Sequence, residues 1–201
     1  FGKKFTGLSW RVQGTLKRAG NFRTAHYYMK NTGFFEDDFS GALQYHRGNF
    51  GTDFFYSEYN NRIGIFEGSH VGNIADLYAA FSRSLPITPS YFSYQVGRTY
   101  QTVKHDLLKA GAHYYFKNAG KLEAIYSRQV DQRKEYDIDI PYSADPNVLK
   151  MPEVAFKITT DALDLIFHHN SFKDFSGSVG VSGLTQGNVY KGLQYLIPNF
   201  R

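Results

Sequence analysis

The sequence predicts an all-β protein: an antiparallel transmembrane β-barrel wall of about eight up-and-down strands, with a short helix in its longest outer loop. Three observations carry this. Apolar and polar residues alternate with period two over segments of about ten residues. The connections between those segments alternate between short and long. Aromatic residues gather beside the short ones.

Composition agrees. Aromatics make up 17% of the 201 residues, yet mean hydropathy is only −0.44. A soluble core is richer in Leu, Ile and Val. An apolar surface that alternates residue by residue with a polar one gives this profile instead. The net charge of +5 fits nucleic acid, anionic lipid or an anionic solute. The basic residues are scattered through strand-like segments without any nucleic-acid signature, so lipid and solute are the expected partners and nucleic acid is not. The absence of cysteine excludes disulfides, thiolate nucleophiles and zinc–thiolate sites. No stretch approaches the ~20 apolar residues of a membrane helix; Leu77–Phe81 is far too short. Phe1-Gly2-Lys3-Lys4 looks like neither a natural start nor a cleavage site, so the chain reads as an excerpt of a longer one.

The clearest strand is Ser9–Lys17. Trp10, Val12, Gly14 and Leu16 share one face, and Ser9, Arg11, Gln13, Thr15 and Lys17 share the other. The same alternation runs through Phe39–His46, Phe50–Ser57, Leu107–Phe116 and Phe175–Gly183. Segments near Phe22–Lys30, Leu122–Asp131 and Val154–Phe167 alternate less cleanly. In the last, the phase changes near Ala162, as a β-bulge would cause.

Short turns are expected at Arg18–Asn21, Arg47–Asn49, Lys117–Gly120 and His169–Lys173. Long connections are expected at Asn31–Asp38, Asn61–Thr102, Gln132–Pro152 and Gly187–Arg201. Outer-membrane barrels have this asymmetry, with short periplasmic turns and long extracellular loops. Phe22, Tyr45, Phe50, Phe116, Phe167 and Phe175 flank the short turns, as an aromatic girdle would. Ordinary cross-strand aromatic pairing also places rings there. Within the longest loop, Ile74, Leu77, Tyr78 and Phe81 recur at helical spacing. A short helix is expected in Gly72–Ser82, with Pro86 and Pro89 preventing its continuation.

Tyr56–Leu77 (YSEYNNRIGIFEGSHVGNIADL) resembles a strand and outer loop of TonB-dependent outer-membrane receptors of the Bacteroidetes type. Val96–Phe116, Tyr126–Asp137 and Gly180–Phe200 resemble later segments of the same barrels, in order. The resemblance implies the middle portion of a barrel of the twenty-two-strand type, in the outer membrane of a Gram-negative bacterium. It implies an importer of a scarce, bulky solute: a ferric siderophore, haem, cobalamin or a glycan, with an iron chelate expected first. Energy would come through TonB, engaged by a segment this sequence lacks, and a plug domain, also lacking here, would fill the barrel.

Chemical motifs are few. His168 and His169 are adjacent, so on a strand they point to opposite faces and no metal site is expected there. His105 and His113 read as inward-facing strand residues. Asp131, Glu135, Asp137, Asp139 and Asp145 offer oxygen ligands without EF-hand spacing and read as a solvated loop. Arg11, Lys17, Arg23, Lys109 and Arg128 are placed toward the lumen, where they would favour an anionic solute. There is no nucleophile elbow or phosphate-cradling glycine loop, so no enzyme and no cofactor is expected. A passive porin and a soluble β-sheet binding module are the alternatives to the importer. By position alone, substrate contacts are expected in the outer loops at Phe66, Glu67, His70, Asn73, Arg98, Tyr100 and Gln101.

Overall fold

In the computed structural model, residues 7–69, 71–86, 90–137, 151–172 and 175–188 are described. Seven strands form one sheet in sequence order: β1 (Leu8–Ala19), β2 (Phe34–Arg47), β3 (Phe50–Gly64), β4 (Tyr100–Phe116), β5 (Gly120–Tyr136), β6 (Val154–Phe172) and β7 (Phe175–Asn188). Every neighbouring pair is antiparallel. β1 and β7 are the two edges and do not pair with each other, so the sheet is an open up-and-down meander. The helix α1 (Ile74–Phe81) lies in the β3–β4 connection, as its apolar spacing predicts. No described helix is long and apolar enough to cross a membrane.

Phe22–Lys30 is not a strand. β1 runs on through Ala19, so the turn expected at Arg18–Asn21 is absent and the chain enters a long connection there. Within it, Thr24 closes a tight turn. Its N–H donates to the Tyr27 carbonyl (2.8 Å), and its hydroxyl accepts from the Tyr27 N–H (3.0 Å). Arg23 and Tyr28 form an isolated bridge above that turn. β-branched and aromatic residues gave this segment the composition of a strand, but its hydrogen bonds close on themselves. Phe22 therefore sits at the long-loop end, away from the short turns.

The strands also reach further than the alternation suggested. β2 starts at Phe34 and β3 ends at Gly64, so both include polar residues that read as loop. Gly64 tolerates its place because a Cβ there would meet the Asn31 carbonyl oxygen at 2.3 Å. The phase change near Ala162 is not a bulge. β6 pairs without interruption from Val154 to His169 along β5, and its irregularity falls between His169 and Phe172 against β7. Near Ala162 the apolar residues change face while the backbone keeps its register.

Outside the irregularity between His169 and Phe172, the registers are continuous and assign each strand residue to one of two faces. One face is apolar near the short turns. A single rung across it reads Trp10, Leu43, Phe54, Ala110, Tyr126, Leu163. Tyr45, Phe50, Tyr114, Phe116 and Phe167 are on the same face beside the turns, with Tyr114 and Phe116 edge to face at 4.9 Å. Among the described residues no second layer covers this face. Among the described residues the only buried hydrophobic side chain is Ala155, whereas Leu16 is 79% exposed and Val179 69%. The opposite face is mostly polar, with Val154, Phe156 and Ile158 of β6 among its apolar residues.

The apolar band has a sloping limit. Apart from Arg47, which sits at the β2–β3 turn itself, the first charged residue on the apolar face, moving from the short turns along each strand, is Arg18 in β1, Asp37 in β2, Glu58 in β3, Asp106 in β4, Arg128 in β5 and Asp161 in β6. The rung through Arg18 passes Phe35, Arg62, Thr102 and Lys134 and reaches β6 at Ala155. Asp161 stands six residues (161 − 155) nearer the short turns. The limit thus slips by six residues over five strand pairings.

The β4–β5 turn is conformationally demanding. Gly120 has φ +140°, and a Cβ there would lie 2.0 Å from the His168 carbonyl oxygen. Gly120→Ala is expected to cost about 1–3 kcal/mol of unfolding free energy. Gly183→Ala, where a Cβ has nothing within 4 Å, is expected to be near neutral. Denaturant midpoints of the two variants compare them directly.

Candidate functional site

The long connections 20–33 and 65–99 meet at one end of the sheet, and two asparagines join them. Asn31 is 3% exposed with φ +62°, a conformation Asn tolerates better than most residues. Its Nδ2 donates to the carbonyls of Ile65 (3.0 Å) and Thr99 (2.7 Å), and its Oδ1 accepts the Gly97 N–H (2.8 Å). Asn21 is also buried. Its Nδ2 donates to the Tyr91 carbonyl (3.1 Å), its N–H donates to the Ser93 carbonyl (2.9 Å), and its Oδ1 accepts the Thr32 N–H (3.2 Å). Thr32 in turn accepts from the Phe22 N–H (2.8 Å). Loop backbone that would otherwise be unpaired is satisfied by these side chains. Sequence reasoning missed both asparagines as joints. The signal was present in Asn31-Thr32-Gly33, which has turn chemistry.

Between the two connections lies a cleft of about 550 Å³, lined by Arg18, Lys30, Glu67, Ser90, Tyr94 and Gln95 among others. Lys30 pairs with Glu67 at 2.8 Å. The Arg18 guanidinium lies 4.8 Å from the centre of the Tyr94 ring, without a carboxylate beside it. Arg18 projects from the apolar face, one alternation beyond Leu16.

The residues expected to contact substrate do not converge on one pocket. Glu67 lines the cleft, and Phe66 stands next to it at the start of a 3₁₀ turn, its ring folded over Gly68. Asn73 caps α1, accepting the Asp76 N–H at 2.9 Å. Arg98 ties loops together: its Nε donates to the Asp137 carbonyl and its Nη2 lies 4.0 Å from Glu153. Tyr100 and Gln101 are consecutive in β4 and so occupy opposite faces. Tyr100 is on the apolar side, stacked on Tyr136 at 4.5 Å, and Gln101 is on the polar side. His70 lies outside the described residues.

The polar face is not basic. Arg11, Lys17 and Lys109 lie on it as expected, with Lys121 and Arg133. Seven carboxylates share it: Glu36, Asp38, Asp53, Glu123, Asp131, Glu135 and Asp164. Lys17 pairs with Glu36, Lys121 with Glu123 at 2.5 Å, and Arg133 with Glu135 at 2.5 Å. Two of the expected lumen cations are elsewhere. Arg23 is in the loop hairpin over Tyr28, and Arg128 is on the apolar face, 3.8 Å from Asp161. The two readings failed for different reasons: the segment around Arg23 is no strand, and the imperfect alternation near Arg128 concealed its phase.

His105 and His113 do lie on the polar face, His105 bonded to Asp131 and His113 stacked 6.1 Å from His46. Among the described residues no group of three or more His, Asp or Glu side chains could hold a metal ion. Asp139 and Asp145 of the acidic stretch lie outside the described residues. Asp38 Oδ1 and Asn61 Oδ1 are buried without a hydrogen-bond partner, both in the polar-face cluster around Glu36.

No known family, curated protein or solved structure matches this chain.

Asn31→Ala removes the side-chain hydrogen bonds to Ile65, Arg98, Thr99 and Gly97 at a left-handed position. It is expected to cost about 1–3 kcal/mol locally. Amide exchange at Gly97 should accelerate, along with proteolysis in residues 90–99, while the β2–β5 ladder keeps its protection.

Proposed function

We propose that this sheet is an arc of a transmembrane barrel wall, from the middle of a TonB-dependent outer-membrane importer of a scarce, bulky solute. The observation that carries the membrane reading is the uncovered apolar face with its sloping limit. A soluble seven-stranded sheet would bury such a face against a second layer. Among the described residues there is no second layer.

The slope has a physical explanation in the tilt of barrel strands. Neighbouring strands lie ~4.8 Å apart and rise ~3.3 Å per residue. At a tilt of about 40°, a line level with the membrane slips by ~1.2 residues per strand, or about six over five pairings. The observed slip is six residues. Tyr56 and Tyr126 stand at the limit, each donating its hydroxyl to a carboxylate just beyond, Glu58 at 3.0 Å and Asp161 at 2.6 Å. Rings with one apolar side and one wet end suit an interface.

The importer reading rests on the resemblance of the strand–loop series, supported by long loops held together by buried asparagines. Spare acceptors at Asp38 and Asn61 suit a polar surface covered by another body, such as a plug. The choice of an iron chelate rests on the resemblance alone, because the polar face carries more carboxylates than cations.

Two experiments test this. Ala110→Arg, in the middle of the band, is expected to cost about 2–4 kcal/mol in lipid. Ser40→Arg, on the polar face between Gln13 and Ser57, should stay within about 0.5 kcal/mol. Equal costs, or a chain that stays in solution without detergent, would sink the membrane reading. In cells, solute accumulation should stop when the proton gradient is collapsed. Uptake indifferent to the gradient would mean a passive porin instead.

A further inference from the structure

The basic excess of the sheet lies on an unexpected side. Beyond the limit of the apolar band, the apolar face carries six cations: Arg18, Arg62, Lys104, Arg128, Lys134 and Lys157. It carries four carboxylates there, Asp37, Glu58, Asp106 and Asp161. Lys104 is matched by Glu58 at 3.2 Å and Asp106 at 3.5 Å, and Arg128 by Asp161. Asp37 accepts instead from Asn60 at 3.1 Å. Arg18, Arg62, Lys134 and Lys157 are left with no carboxylate partner among the described residues.

The two arginines are held ready. Arg18 lies over Tyr94 at 4.8 Å and Arg62 over Tyr100 at 3.9 Å, with Arg62 Nη2 donating to the Val96 carbonyl at 3.1 Å. An aromatic face fixes the guanidinium plane without neutralising it, and N–H groups remain free at the edge. They stand on one rung, separated by Phe35, and both are exposed. Lys134 lies on the same rung, and Lys157 faces Gln132, one alternation from it.

We propose that these four residues bind the phosphate groups of a lipid headgroup in the leaflet at the long-loop end. The proposal rests on the membrane-spanning reading above. The placement selects lipid over solute. A solute crossing the polar face would meet none of the four, whereas a lipid packed on the apolar band meets Arg18 immediately past Leu16. Phosphate suits the donors, because a guanidinium fork binds two of its oxygens at once and ammonium groups add point charges. Each cation near an anionic lipid surface is expected to strengthen binding about fivefold, and all four together by several hundredfold.

The test uses the complete protein in zwitterionic detergent, titrated with lipid A and with the same lipid stripped of its phosphates. The expected result is phosphate-dependent binding that weakens with salt. It should fall several hundredfold in R18Q/R62Q/K134Q/K157Q and stay unchanged in R11Q/K109Q on the polar face. If the fourfold variant fails to fold, K134Q/K157Q, which removes no internal partner, should still lose about 25-fold. Equal binding of the stripped lipid, equal affinity for inorganic phosphate, or loss only in the polar-face variant would each overturn the proposal. A protein that needs no detergent would first overturn the membrane reading, whereas a detergent-requiring barrel indifferent to phosphate overturns only this inference.

Discussion

The antiparallel ladder is the constraint from which the rest follows. Once seven strands pair in register, each paired residue is committed to one of two faces, and a shift of one position would exchange them. The sheet therefore has an apolar face rich in aromatic rings and a polar face rich in ion pairs. Neither is covered by another layer among the described residues, so the ordinary source of stability for a domain this size, a shared hydrophobic core, is missing. Stability must come from the backbone ladder, from cross-strand side-chain pairs and from whatever lies against the apolar face.

The two ends of the sheet solve different problems. Near the short turns, tight connections such as Gly48-Asn49 leave little backbone to satisfy, and aromatic side chains fill the apolar face. At the other end the backbone is long and much of it lies outside the ladder. Side-chain amides supply the missing hydrogen bonds, which explains why the buried polar residues include Asn21, Asn31, Thr32 and Thr99. Thr99 shares with Asn31 a positive φ, at 60°, and the two meet through the Asn31 amide. The backbone strain sits where the network over-determines it.

Charge is distributed by face as much as by number. The net +5 of the chain suggests a basic interior only if strand phase is ignored. On the polar face carboxylates outnumber cations, and the excess of cations is on the apolar face, beyond its band. Ion pairs on the polar face lie within reach of cross-strand or same-face neighbours, as for Lys17 with Glu36 and Lys121 with Glu123.

Much was legible from sequence because strand alternation is local. The phase of Ser9–Lys17, the faces of Lys109 and His113, the short turns at Arg47–Asn49 and Lys117–Gly120 and the helix at Ile74–Phe81 each depend on residues within a few positions. The sheet-level features were not legible. Phe22–Lys30 has strand composition, and only its bonds within itself and to nearby Thr32 make it a loop. The phase change at Ala162 needed the β5 register to show that the apolar residues, and not the backbone, change sides. The sloping limit of the band exists only when strands as far apart in sequence as β1 and β6 are aligned rung by rung. Local sequence determined which residues alternate; long-range pairing decided which share a face, because register is set by hydrogen bonds between strands that the sequence separates.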